Sequence, residues 1–286
     1  MADTATVRGP AGAAGHPTPG RSAGSVLRAI GESPWVPSLV LIVALLVLWE
    51  VAARTFLADS KAFPPVTDVV GDVLGDLDVY LRNARTTLRA ALPGWFWGNV
   101  IATVMGALAV AVPLLERLTL HMAVAITSLP IIALGPIFQV TLEGDAPRSA
   151  LAGLAVFFTT LVGTIVGLRA CDRSSVDLIR ALGGGRLAVL RWVRVRAALP
   201  DYFAALKISA PAAVLGAIIG EFIGGSENGL GVALIAARAN ADSARVWGVA
   251  LVATAVAGMG YALIALVGRL LTPWAPSSHR GGVRAS

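Results

Sequence analysis

Cysteine, lysine and histidine are scarce in this 286-residue chain, and each scarcity removes a class of chemistry. Cys171 is the single cysteine, so neither an intrachain disulfide nor a thiolate metal cluster can form. Lys61 and Lys207 are the only lysines, and neither stands in a Gly-x-x-x-x-Gly-Lys-[Ser/Thr] loop, so there is no phosphate loop for binding ATP. His16, His121 and His279 are far apart in the chain, which argues against a zinc site or a hydrolytic triad. No metal, cofactor or catalytic set is expected. Charge is thin as well, at 14% of residues against about 25% in an ordinary soluble domain. The N-terminus has no apolar h-region, so no cleavable signal peptide is read there. Residues 1–33, rich in Gly, Pro, Ala and Ser, read as a disordered tail.

What is abundant is apolar sequence, 56% of the chain, with a mean hydropathy of +0.75. Ala90–Leu115, Leu118–Leu142, Ser149–Leu168 and Val246–Gly268 contain no charged residue. Each can cross a hydrocarbon core of about 30 Å, which takes about 20 helical residues. Two weaker runs join them, Val36–Arg54 with Glu50 near its end, and Ala204–Ile223 with Lys207 and Glu221 near its ends. The expected fold is all-α, a polytopic membrane protein of about six transmembrane helices, because runs this long are not alternating barrel strands.

The net charge of +6 invites a nucleic-acid reading, but its placement rejects one. Arg169, Arg173, Arg180, Arg186, Arg191, Arg194 and Arg196 fall in one inter-helix loop at about 169–203. The positive-inside rule puts that loop and both termini in the cytoplasm. Arg82, Arg85 and Arg89 oppose the rule and read as an interfacial segment leading into the second span, Ala91–Pro113. Residues 56–89 read as an external excursion, within which Phe63-Pro-Pro65 cannot continue a helix and Val66–Leu77 has the spacing of a short interfacial helix. The third span, Leu118–Leu142, is expected to kink at Pro130 or Pro136, and 224–245 reads as an outer loop. Trp35, Trp49, Trp95, Trp97, Trp247 and Trp274 read as an aromatic belt at span ends. Gly94/Gly98, Gly163/Gly167 and Gly216/Gly220/Gly224 recur at four-residue spacing, which serves either packing within the chain or a homodimer seam along 216–224.

The arginine-rich loop has helical periodicity. Val176, Ile179 and Leu182 recur at three-residue spacing, as do Leu187, Leu190 and Val193, and Gly183-Gly-Gly185 separates the two sets. A helix–turn–helix is expected, with Asp177, Arg180, Arg186, Arg191 and Arg194 on its exposed faces. A basic surface of this kind also suits anionic lipid heads.

The segment Asp177-Leu-Ile-Arg180-Ala181-Leu182-Gly183-Gly184, with Pro200 downstream, resembles the EAA coupling loop of binding-protein-dependent ABC permeases. It is most similar to the nitrate, sulfonate, taurine and pyrimidine-precursor branch. Leu48-Trp-Glu50, Phe63-Pro-Pro65, Leu129-Pro-Ile-Ile-Ala-Leu-Gly-Pro136 and Glu221 with Gly229-Leu-Gly231 agree with it in order and spacing, over roughly residues 40–275. The chain departs from the pattern where Asp177 stands for glutamate, Leu178 and Ile179 for two alanines, and Arg196 for a common proline.

The resemblance implies a non-enzymatic permease domain at 34–275, with tails at 1–33 and 276–286, in a bacterial cell membrane. It implies ABC ATPase subunits as partners, a second permease copy in a homodimer, and an extracytoplasmic solute-binding protein. Hydrolysis would occur in the ATPase, and the permease would pass a small polar solute by alternating access. Gln139, Glu221, Gly229 and Gly231 are candidates for a pore or gate, since ionisable residues in membrane helices are costly to hold. The competing reading is an ion-gradient-driven secondary transporter. It calls for paired repeats or mid-membrane carboxylates, whereas Glu50 and Glu221 both lie near span ends.

Overall fold

Helices in a bilayer gain nothing by hiding leucine from lipid, so close backbone approach drives their association. The structure obeys that rule. It is a computed structural model and describes residues 36–58, 62–112, 119, 121, 130–224 and 226–274. The expected tails at 1–33 and 276–286, Trp35, and residues 118, 120 and 122–129 of the third expected span lie outside the described residues.

The described helices are α1 (Val36–Thr55), α2 (Val66–Gly75), α3 (Leu77–Ala111), α4 (Ile131–Thr141), α5 (Ala146–Arg169) and α6 (Arg173–Ala181). They continue with α7 (Arg186–Val189), a π-turn (Leu190–Arg194), α8 (Val195–Ile223), α9 (Leu230–Ala239) and α10 (Ser243–Leu271). Among the described residues five helices are long and apolar enough to cross a membrane. The third expected span is represented chiefly by α4, which begins after Pro130 and contains Pro136.

Glycine and alanine bring α3, α5 and α8 together. A Cβ on Gly94 would lie 2.6 Å from the Ala152 Cβ, and one on Gly98 would lie 2.6 Å from the Gly153 carbonyl oxygen. A Cβ on Gly106 would meet Thr164 at 3.0 Å, so α3 and α5 run parallel. Gly163 and Gly167 meet Ala205 and Ala198, while Gly216 meets Ala152, so α8 runs antiparallel to α5. The chain between α3 and α5 must therefore return to the end where both begin. Gly268 packs on Phe203 and Gly260 faces Ala210, so α10 is antiparallel to α8 and finishes at the end that carries α6. Gly216 and Gly220 face Ala152 and Arg148 of α5 in the same chain, so these glycines serve internal packing rather than a seam with another copy.

Polar side chains fill the same interfaces. Thr160 donates to the Asn99 amide oxygen, and the Trp95 indole N–H donates to Ser209 Oγ at 2.9 Å. Thr103 donates to the Tyr202 hydroxyl at 3.2 Å. Trp95 is thus a partner inside the bundle and not part of an aromatic belt. Leu39–Leu48 of α1 and Leu251, Leu263, Leu266 and Leu270 of α10 are exposed, as lipid-facing residues are.

Three expectations change. Arg82, Arg85 and Arg89 belong to the same 35-residue helix as the second span. They occupy its exposed face while Ala84, Thr87, Ala90 and Ala91 point inward. At about 1.5 Å per residue that helix reaches about 50 Å and overshoots the hydrocarbon core, which frees its first turns for charge. The fifth span does not start at Ala204, because helical backbone runs without a break from Leu187 to Ile223. The outer loop at 224–245 contains α9, whose apolar run was hidden by the glycines at its start.

Substituting Gly98 by Ala should destabilise the fold by about 1–3 kcal/mol, because the new methyl overlaps α5 backbone. Gly258→Ala, in α10 with nothing within 4 Å, should be neutral or stabilising. Thermal unfolding of the detergent-solubilised variants, monitored by the monodisperse fraction, checks both.

Candidate functional site

The structure gathers the residues singled out in the sequence at opposite ends of the bundle. At one end, α6 opens on Asp172, whose carboxylate accepts from the Ser174 hydroxyl and, at 3.5 Å, from the Ser174 N–H. These bonds hold the Asp172 carboxyl below the usual carboxylate range. The helix closes on a paired set of bonds. The Gly183 N–H donates to the Arg180 carbonyl at 3.0 Å and the Gly184 N–H to the Ile179 carbonyl at 2.8 Å. This is a Schellman ending, and it needs the left-handed φ of +80° that Gly183 adopts. A Cβ on Gly184 would lie 2.5 Å from the Ile179 side chain, so the second glycine is required by space.

The expected helix–turn–helix is present, but its second arm is the root of α8. Asp177 and Arg180 stand exposed, 4.0 Å apart, and Ala181 lies beside them on the surface. Leu182, which continues the spacing of Val176 and Ile179, is 75% exposed because it is the last residue before the Gly183 turn. Leu187 is 76% exposed, and Leu178 and Trp192 also face out. Arg194 was expected outside, yet its Nε is buried. The π-turn explains this, since the Val195 N–H donates to Leu190 and one extra residue in the turn rotates the remainder of the helix. Pro200 is half-buried within α8 and does not mark the end of a loop. The side chain of Arg186 lies outside the described residues.

At the opposite end, Glu221 is 1% exposed. One carboxylate oxygen accepts from Thr87 Oγ1 at 2.8 Å, the other from the Gly231 N–H at 2.7 Å. The Leu230 N–H donates to Thr87 at 3.0 Å and the Gly229 N–H to Asn83 at 3.0 Å. The first N–H groups of α9 are therefore satisfied by side chains of α3 and α8, with the carboxylate at the positive end of the helix. This arrangement requires both glycines of Gly229-Leu-Gly231. A Cβ on Gly229 would lie 2.4 Å from the carboxyl, one on Gly231 2.7 Å from the Ile218 carbonyl, and Gly229 has φ +145°. Gln139 of α4 donates to the Gly224 carbonyl at 2.6 Å, and lines a cavity of about 340 Å³ with Glu143 and Arg148.

Residues 98–275, more than half of the chain, match the family described as the binding-protein-dependent transport system inner membrane component. The chain belongs to this family. It is a permease of the ABC importer type. The permease is 26% identical over 231 residues to the formylaminopyrimidine transport permease protein ThiX of Halalkalibacterium halodurans, which covers 80% of this chain and 92% of that protein. It is 28% identical over 260 residues to the riboflavin transport system permease protein RibX of Chloroflexus aurantiacus, covering 88% and 95%. With the putative aliphatic sulfonates transport permease protein SsuC of Bacillus subtilis the identity is 25%, covering 84% and 88%. Among solved structures, the inward-facing MetNI methionine ABC transporter has a similar fold, with a TM-score of 0.53 at 18% identity, covering 67% of the permease and 97% of that chain. An amino acid ABC transporter with histidines gives 0.53 at 11%, covering 71% and 97%.

Other tethers in the permease have no motif of their own. Arg148, 4% exposed, donates to Asp145 and, at 2.6 Å, to Ser226 Oγ, which ties α5 to the residues just before α9. Asp145 and Arg148 are three apart at the mouth of an uncharged run, a spacing that pairs them on a helix. Arg245 of α10 pairs with Asp72 and Asp76, and Tyr80 donates to Asp72, which fastens α2 and α3 to α10. The Trp49 indole donates to the Pro64 carbonyl at 3.2 Å and Glu50 accepts from the Thr67 N–H at 3.2 Å, so Leu48-Trp-Glu50 and Phe63-Pro-Pro65 form one junction.

Glu221→Ala should strand the Gly231 N–H, at about 1–3 kcal/mol for a buried group left unpaired, while the Thr87 hydroxyl keeps the Asn83 carbonyl at 3.2 Å as an acceptor. Hydrogen exchange at Leu230 and Gly231 should accelerate roughly tenfold or more, with α5 and α8 much less affected.

Proposed function

We propose that the permease pairs with a second copy of itself to form the path of a small polar solute through a bacterial cell membrane. ABC ATPase subunits dock on α6 and the root of α8. Hydrolysis takes place there, and the permease supplies motion rather than chemistry. An extracytoplasmic solute-binding protein delivers the solute at the Glu221 end. The helical unit at 34–275 carries transport, with the segments 1–33 and 276–286 as cytoplasmic tails.

The observation that carries this reading is the exposed apolar patch beside the Gly183 turn. Leu178, Leu182, Leu187 and Trp192 are 61%, 75%, 76% and 57% exposed next to Asp177 and Arg180. Large apolar side chains among charges, at an end rich in arginine, fit a protein partner better than water or lipid tails. Leu178 and Trp192 also line a groove of about 330 Å³ with Ser175 and Ile179. Because α8 continues the second arm of the loop as one helix, movement of a docked partner passes straight to the span. Two features support cytoplasmic placement of this end: its arginines and the arrival of α10 there. The relatives named for formylaminopyrimidine, riboflavin and sulfonate transport support a small polar solute. Gln139, Glu221, Gly229 and Gly231 act as a gate hinge, in which Glu221 holds α9 to α3 and α8 while the path opens and closes.

Gly183→Arg tests the docking. The added side chain has open space around it but a φ that costs about 1–2 kcal/mol, so the variant should insert and remain folded. Recovery of a co-expressed ABC ATPase with the purified permease should fall roughly tenfold or more, as when a docking contact worth over about 1.4 kcal/mol is lost. Equal recovery of the ATPase with both forms rejects the loop as its docking site.

A further inference from the structure

We propose that the loop end of the permease holds a binding site for a phosphate group, formed by Arg173 and Arg194 where the ends of α3 and α5 meet α6 and the π-turn. A cavity of about 530 Å³ lies there. Val110 of α3, Leu168 of α5 and Val176 form its apolar side, and among the described residues Arg169, Arg173, Arg180 and Arg194 line it with one carboxylate, Asp177. That carboxylate lies 4.0 Å from Arg180. Among the described residues neither Arg173 nor Arg194 takes part in an ion pair.

Arg194 gives the cavity its direction. The π-turn swings it off the exposed face of the helix, and its Nε is closed to water with no hydrogen-bond partner among the described residues. That N–H is closed to the cavity as well, as the Nε groups of Arg148 and Arg245 are closed off elsewhere, so what Arg194 offers a bound acceptor is the remainder of its charged side chain, which lines the cavity. π-turns recur at functional positions for this reason, since they re-aim one side chain while the helix continues. Two guanidinium forks facing one cavity match the several oxygens of a phosphate better than a single halide or carboxylate oxygen.

The level of the cavity narrows the source. The uncharged run of α5 ends at Leu168 and the first arginine comes at once, which is where headgroups meet water. An anionic phospholipid headgroup can enter with its acyl chains along Leu168 and Val110. A free phosphate from the aqueous side has the same chemistry. The site stands on the cavity and its arginines alone and does not depend on ATPase docking at the neighbouring patch.

The full-length permease in nanodiscs tests this, without any ATPase. Thermal stability is measured in phosphatidylcholine alone, in phosphatidylcholine with graded phosphatidylglycerol, and in phosphatidylcholine alone with inorganic phosphate titrated in. The wild type and Arg238→Gln, a change at an exposed position near the end of α9, should both be stabilised by one of the probes. Arg173→Gln and Arg194→Gln should each need roughly tenfold more of that probe, the effect of losing one charge-assisted hydrogen bond. Stabilisation by phosphatidylglycerol without a response to phosphate identifies the headgroup, and a response to phosphate in neutral lipid identifies the free anion. If Arg194→Gln fails to fold, Arg173→Gln decides, because Arg173 is exposed and its loss opens no cavity. Equal responses in all four proteins, or no response of the wild type to either probe, overturn the proposal.

Discussion

Backbone-to-backbone approach of α3, α5 and α8 is the constraint on which the rest of the permease depends. Lipid is no worse a solvent for leucine than another helix, so the bundle cannot be held by burying large side chains. It is held where Gly94, Gly98, Gly106, Gly163, Gly167 and Gly216 let helices touch, and where Asn99, Thr160, Trp95 and Ser209 bond across the contact. Helices joined in this way behave as rigid bodies. A displacement at one end of α8 therefore reaches the other, and α8 carries both the loop arm and Glu221.

The two ends use different physics. At the Glu221 end the polar groups around the start of α9 are buried and answered, while the Arg148 Nε nearby has no partner among the described residues. A carboxylate, a hydroxyl and an amide oxygen satisfy consecutive N–H groups of α9, and Arg148 and Gln139 hold the adjoining segment. At the loop end the surface is left open. The turn at Gly183 is bonded within itself, while large apolar side chains and Arg173 around it face outward. An end that is satisfied internally holds position, and an end that is not awaits partners.

Much of the site was legible in the sequence. The glycine triplet at 183–185 marked the turn, because a left-handed residue after a helix is written as glycine almost regardless of context. Glu221 with Gly229 and Gly231 was legible as a unit, although its meaning was not. The glycines look like loop residues until the carboxylate is placed 2.7 Å from the Gly231 N–H. The same blindness hid α9, whose N-terminal partners come from residues over a hundred positions earlier, Asn83 and Thr87. Arg194 was assigned to the wrong face because regular periodicity assumes an unbroken α-helix, and here a π-turn intervenes.

The sequence by itself determined that the chain is helical and crosses a membrane, since uncharged runs of this length have one stable backbone solution in lipid. It also determined the polar loop and its turn, which depend on neighbours only a few residues apart. The tertiary structure alone decided which glycine faced which helix, that Trp95 bonds inside the bundle, and that Glu221 caps a helix it does not belong to. Those outcomes depend on the distance between atoms far apart in the chain, which no local pattern encodes.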